Sequence, residues 1–171
     1  MKTKYNHISI SLIIIFLFTS CISDGDVGNV TPEDLGKSVL YALKQNDKDL
    51  FTEYIYTKYE VEYFIKNYGK PINAERARNR HEEYYPKLIE AFDEIKADAI
   101  SKGLTNWDNV EFSKVSYSPR SNGIEARSTR LEFTNGKFIG TIKLSTINKS
   151  DKGWFMAGVP SFSNYSRMSV P

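Results

Sequence analysis

The sequence predicts an α+β domain in which N-terminal helices pack on one face of a curved, antiparallel four-stranded sheet. Three observations carry this expectation. Apolar residues recur every three or four positions from Leu35 to Ala99, the period of helices with one buried stripe. From Val110 onward the apolar residues alternate in short runs, the period of half-buried strands. Asn135-Gly136 stands between two such runs and reads as a tight hairpin turn. Helices first and a meander second place the helices against the sheet, because each element must bury its apolar side on another.

The first helix starts at Thr31-Pro32-Glu33-Asp34, with Thr31 as N-cap, Pro32 in the first helical position and acids in the first turn. Leu35, Val39, Ala42 and Leu43 form its buried stripe, and Asn46-Asp47 closes it. A short amphipathic piece follows at Leu50-Phe51 and Tyr54-Ile55. Thr57-Lys58-Tyr59-Glu60 is a capping box, in which the hydroxyl and the carboxylate satisfy free amides reciprocally. The helix after it carries Val61, Phe64, Ile65 and Tyr68 on one side, and Gly69 with Pro71 stops it. Asn73 is placed to cap a longer helix through Ala77, His81, Tyr84, Leu88, Phe92, Ile95 and Ala99, ended by Gly103. Pro86 lies inside this run and predicts a kink or break near Glu82 to Tyr85, since it has no amide hydrogen and crowds the carbonyl four residues back. Strands are expected at Val110–Tyr117, Ile124–Phe133, Phe138–Ile147 and Trp154–Val159, with the last turn in Asn148–Gly153. A two-residue Asn135-Gly136 loop sets Phe133 against Phe138, Leu131 against Gly140 and Thr129 against Ile142 on the apolar face. Arg130 then meets Thr141 and Ser128 meets Lys143 on the other. The alternation slips at Ser113-Lys114 and Ser128-Thr129, where bulges are expected.

The N-terminus has a different composition. Lys2 and Lys4 precede an apolar run from Ile8 to Phe18, broken only by Ser9 and Ser11; Thr19, Ser20 and the lone Cys21 follow. A charged segment, a short apolar segment and small residues are the parts of an export signal. The apolar stretch is about half the length needed to span a bilayer as a helix. Phe18-Thr19-Ser20-Cys21 resembles the bacterial lipobox, with Phe18 where Leu is usual. The resemblance implies cleavage between Ser20 and Cys21, a diacylglycerol thioether on Cys21, and acylation (palmitate) of the new amino group. Each buried methylene adds about 0.8 kcal/mol of membrane affinity, so several chains hold a protein stably. The chain then divides into a signal peptide over 1–20, a tether over 21–30 and one α+β domain over 31–171. Ser23-Asp24-Gly25-Asp26 is similar to the acidic stretches that send some Bacteroidetes lipoproteins to the cell surface. The expected location is the bacterial cell envelope, with the protein lipid-anchored to the outer membrane and facing the periplasm or the surface.

Composition narrows the function. Loss of Lys2 and Lys4 takes Lys+Arg from 23 to 21, equal to the 21 Asp+Glu. A balanced domain lacks the basic footprint of a nucleic-acid binder. With one cysteine no disulfide forms within the chain. His81 is the only histidine after processing, a poor equipment for zinc, so neither a metal nor a cofactor is expected. Gly-rich phosphate loops and nucleophile elbows are absent from the sequence.

Three helices followed by a curved four-stranded sheet, with Lys152-Gly153-Trp154-Phe155 heading the last strand, resemble the nuclear-transport-factor-two-like, or cystatin-like, cone fold over residues 31–160. The resemblance implies a pocket between helices and sheet. It does not imply a function, because that fold hosts isomerases, dehydratases, binding modules and assembly domains.

The densest candidate feature is a run of tyrosines at positions 54, 56, 59, 63, 68, 84 and 85, flat apolar bodies with polar tips suited to binding; Tyr54, Tyr56, Tyr59, Tyr63, Tyr84 and Tyr85 are the expected binding surface. Tyr117 and the loop Arg120 to Asn122 are expected to flank it. His81, Tyr84 and Asp93 fall on roughly one side of the long helix, the raw material of an acid–base set. Arg76, Arg78 and Arg80 form a basic run that Glu75, Glu82 and Glu83 are expected to neutralise along the helix. Trp107 and Trp154 are expected to pack. The leading expectation is therefore a non-enzymatic, membrane-anchored binding module whose partner is an envelope protein, a peptide or a small apolar ligand. The alternatives are an isomerase- or dehydratase-like enzyme with a carboxylate/tyrosine cavity, and an immunity or assembly lipoprotein that blocks one envelope partner.

Overall fold

A computed structural model describes residues 28–68 and 73–168. Cys21, Ser20, the signal segment, Gly69 and Pro71 lie outside the described residues. Four helices, α1 (Pro32–Gln45), α2 (Lys48–Thr52), α3 (Lys58–Tyr68) and α4 (Ala74–Ser101), precede five strands, β1 (Glu111–Pro119), β2 (Glu125–Asn135), β3 (Phe138–Ser150), β4 (Gly153–Met156) and β5 (Ser161–Arg167). The expected α+β class holds, with a curled antiparallel sheet and the helices N-terminal to it. The fifth strand is an addition to the four expected: β3 is long enough for β5 to pair with Phe138–Lys143 and β4 with Ile147–Ser150 along the same edge.

Helix starts follow the local chemistry. The Thr31 hydroxyl accepts the Asp34 amide at 3.1 Å, and the Asp34 carboxylate accepts the Thr31 amide at 3.1 Å, a reciprocal box that satisfies amides the first turn leaves free. Asp47 caps α2 by accepting from Leu50 N at 2.9 Å, and Asn46 ends α1 in the left-handed region at φ 55°. Thr57 and Glu60 form the expected box: Thr57 N donates to Glu60 Oε2 at 2.8 Å, and the Thr57 hydroxyl accepts from Tyr59 N at 3.2 Å. Asn73 makes no capping hydrogen bond, contrary to expectation.

Pro86 does not break α4, which runs continuously for 28 residues. Pro86 and Glu82 are both exposed, so the carbonyl that loses its helical donor faces water. His81 and Tyr85, stacked at 5.0 Å, hold one turn, and buried Leu88 and Phe92 hold the next. Lys102 and Gly103 (φ 93°) close the helix, with Leu104 N returning to Ala99 O at 2.9 Å.

The β2–β3 hairpin turns one residue later than expected. Asn135 pairs with Phe138, Phe133 with Gly140 and Leu131 with Ile142, leaving Gly136-Lys137 as the loop. Only Gly136 has positive φ, at 58°, which suits a turn needing it in the first loop position alone rather than in both. The two strands slide equally, so Leu131 and Phe133 stay on the buried face. On the other face Arg130 meets Lys143 and Glu132 meets Thr141. Bulges occur at both expected places and elsewhere, with register shifts between Phe112 and Lys114 and between Ala126 and Thr129.

The core draws on every helix except α3, whose buried residues are Glu60 and Val61, and it is closed by Trp107, Phe133 and Phe162. Its members all lie between Leu35 and Phe162, so this stretch carries its own hydrophobic core, the requirement for a domain to fold alone. Among the described residues no helix is long and apolar enough to cross a membrane.

Candidate functional site

Two bulges build the site. In β2 the core-facing side chains Leu131, Phe133 and Thr129 hold odd positions until Ser128, whose φ of 53° is left-handed. Beyond it the buried residue is Ala126. In β3 Ile142 and Leu144 face the core until Ser145, at φ 62°, and then Ile147 does. Each extra residue reverses the pleat. Glu125, Arg127, Thr146 and Asn148 thus alternate with core residues, as Phe155 does with Met156. Cross-strand pairing joins Glu125 to Asn148 and Asn148 to Phe155 in one row.

Opposite this row stand α3 and the first turns of α4, and between them lies a cavity of about 660 Å³. Its apolar lining includes Val61, Phe64, Ile65, Ala77 and Phe155; Tyr56 and Tyr68 add ring surface with hydroxyl tips. Arg80 comes from α4, and Glu125 and Arg127 come from β2. A volume in this range suits a small organic molecule held mostly by apolar contact.

Electrostatics are uneven around the lining. Glu125 Oε1 accepts from Arg127 Nε in a close pair and lies 3.9 Å from Arg120 Nε. Arg80 has no ion pair among the described residues; its guanidinium lies 5.5 Å over the Tyr84 ring. Burial pushes the Tyr56 phenol above its usual range, and Arg80 beside it pulls the other way. Asn148 makes no side-chain hydrogen bond among the described residues, and its Oδ1 is buried without a partner. A buried amide oxygen left unpaired is uncommon in folded proteins.

The six tyrosines meet different neighbours. Of the six, Tyr56 alone lines the cavity. Tyr54 packs against the core, and burial raises its phenol. Tyr59 donates to Asp151 Oδ2 at 2.7 Å, the main cause of its raised phenol, and Lys152 lies 4.2 Å over its ring. Tyr63 packs edge-on to Phe64 at 5.6 Å. Tyr84 lies under Lys87 at 4.6 Å, and Tyr85 stacks on His81. Tyr68, absent from that set, is in the cavity; its place in the Val61–Phe64–Ile65 helical stripe was the signal for it.

The His81–Tyr84–Asp93 set is not assembled. Asp93 is exposed and pairs with Lys48 at 2.6 Å, while His81 is wedged between Tyr56 and Tyr85 with Nε2 buried and unpartnered. The basic run also resolves differently from expectation. Arg78 reaches across to α3 and grips Glu62 through two bonds of 2.6 and 2.8 Å; Glu83 pairs with Lys87 instead. Trp107 packs on Phe133 and Phe162, under Lys96 at 4.8 Å, and burial lowers the Lys96 ammonium below its usual range. Trp154 is partly buried against the core. The Arg120–Asn122 loop meets the cavity wall through Glu125: Arg120 N donates to Glu125 O at 2.8 Å. Among the described residues no group of three His, Cys, Asp or Glu side chains is placed to hold a metal ion.

No family model, curated protein or solved structure matches the chain.

Proposed function

We propose that this protein is a lipid-anchored lipoprotein of the bacterial envelope whose domain binds a small, largely apolar ligand in the cavity between α3, α4 and the β2–β4 end of the sheet. The observation that supports the ligand reading most is the cavity itself: about 660 Å³ of space walled by Phe64, Phe155, Val61 and Ile65. Mostly apolar walls with a few polar groups at the side are the usual make-up of a small-molecule site. The anchor rests on Lys2, Lys4, the apolar run to Phe18 and Cys21.

Binding is tested on the excised domain, residues 28–171, with N-phenyl-1-naphthylamine, an uncharged aromatic probe whose emission rises in apolar surroundings. Saturable enhancement is expected. Ala77→Trp, which places an indole in the cavity from α4, is expected to weaken the probe at least tenfold, about 1.4 kcal/mol, while the unfolding midpoint is kept. Thr146→Trp fills the same space from the sheet side and gives the same result should Ala77→Trp fold poorly. Undiminished binding in both folded variants would place the probe elsewhere and end this reading.

Anchoring is tested separately. Cells expressing the full chain are expected to incorporate labelled palmitate into it, and Cys21→Ser to abolish both label and membrane association. A Cys21→Ser chain that keeps the label and pellets with membranes removes the anchor.

A further inference from the structure

We infer that the ligand is an amphiphile with an anionic head, its apolar body lying over Phe64 and Phe155 and its head held by Arg80 and Arg127. This rests on the cavity being a binding site. The distribution of polar groups argues for it. The β4 end of the cross-strand row is apolar at Phe155, and its β2 end carries Glu125 beside Asn148. Arg127 commits Nε to Glu125, which leaves its two terminal amino groups as donors. The one carboxylate in the lining is thus already engaged by Arg127 and approached by Arg120, so a cationic ligand finds no open partner there. Arg80, on the facing helix, has no carboxylate partner among the described residues. Two guanidiniums against one occupied carboxylate leave positive charge beside low-dielectric walls, an arrangement that concentrates an anion. Asn148, in the same row, lines the cavity, and its carboxamide N–H groups are further donors for a head oxygen.

The test compares 8-anilinonaphthalene-1-sulfonate with N-phenyl-1-naphthylamine, which share an aromatic body and differ by the sulfonate, on residues 28–171 at low salt. Arg80→Gln with Arg127→Gln is expected to weaken the sulfonate probe about tenfold, since charge-assisted hydrogen bonds exceed neutral ones. The uncharged probe is expected to stay within about twofold, which also reports that the cavity is intact. Arg76→Gln, one charge fewer on the same helix but outside the lining, is expected to leave both probes unchanged. Arg80→Gln alone, which removes no ion pair of the described structure, is expected to lose part of the effect should the double variant fold poorly. A sulfonate affinity that changes no more than the uncharged one, or that falls equally in Arg76→Gln, overturns the anionic head and leaves the cavity reading standing. Failure of both probes to bind the unaltered domain overturns both.

Discussion

Phe133→Ala is expected to destabilise the domain by about 3–5 kcal/mol, the usual range for deleting a buried phenylalanine, read as a lower urea midpoint by circular dichroism. Phe133 is fully buried and packs at 5.8 Å from Trp107 and 6.2 Å from Phe162. It also lies across Gly140, its cross-strand partner; a Cβ on Gly140 would sit 2.1 Å from Phe133 Cζ. The ring covers a backbone that has no side chain of its own, so each residue exists in the shape of the other. Gly140→Ala alone is therefore expected to cost about 1–3 kcal/mol by overpacking, because Trp107 and Phe162 prevent the ring from swinging aside. Placed together, the two substitutions are expected to cost less than their sum by about 1–2 kcal/mol, since the new methyl occupies space the ring vacates. Strict additivity would show that the ring does not cover Gly140 in solution.

Phe51→Ala is expected to cost a similar 3–5 kcal/mol and to weaken the cavity as well as the core. Phe51 is fully buried and meets Phe92 of α4 edge-on at 5.4 Å. Five residues of α2 are too few to hold a helix on their own in water; the exposed Lys48–Asp93 pair adds little, so Phe51 is the main tie from α2 to α4. The chain leaving α2 is tied to β4: Met156 N donates to Tyr54 O at 2.7 Å, and Tyr56 N donates to Met156 O at 3.0 Å. Those bonds set Tyr56 in the cavity lining and start α3 at Thr57. Reduced affinity for the uncharged probe is expected at urea concentrations where the variant is still folded. Unchanged affinity with a large loss of stability would separate the α2 anchor from the cavity.

Much of the fold is readable in the chain because its signals are local. Thr31 with Asp34, Thr57 with Glu60, and Asn46-Asp47 mark helix ends through bonds spanning three or four residues. The stripe from Leu88 to Ala99 needs only the helical period. The hairpin slid by one residue, which changes each expected pair and leaves Phe138 exposed, but an equal slide of both strands keeps Leu131 and Phe133 on the same face. Ser161–Arg167 escaped notice because only Phe162 is buried and Tyr165 half-buried among serines and asparagine, too weak an alternation to stand out. Of the kink or break expected at Pro86, the break is missing because the exposure of Glu82, a tertiary fact, leaves the carbonyl that loses its donor open to water.

The sequence by itself determined the α+β class, the order of helices before strands, and the helix starts at Thr31 and Thr57. The tertiary structure alone decided where a ligand is offered space. Tyrosines counted along the chain suggested one patch, yet Tyr54, Tyr59 and Tyr84 point to three different neighbours. Left-handed Ser128 and Ser145 reverse the pleat in two paired strands, and only that reversal turns Glu125, Arg127, Thr146 and Asn148 toward α3 and α4. Capping and periodicity act over a few bonds and are written in neighbouring residues; a cavity is a gap left between segments up to a hundred residues apart, set by how their surfaces meet.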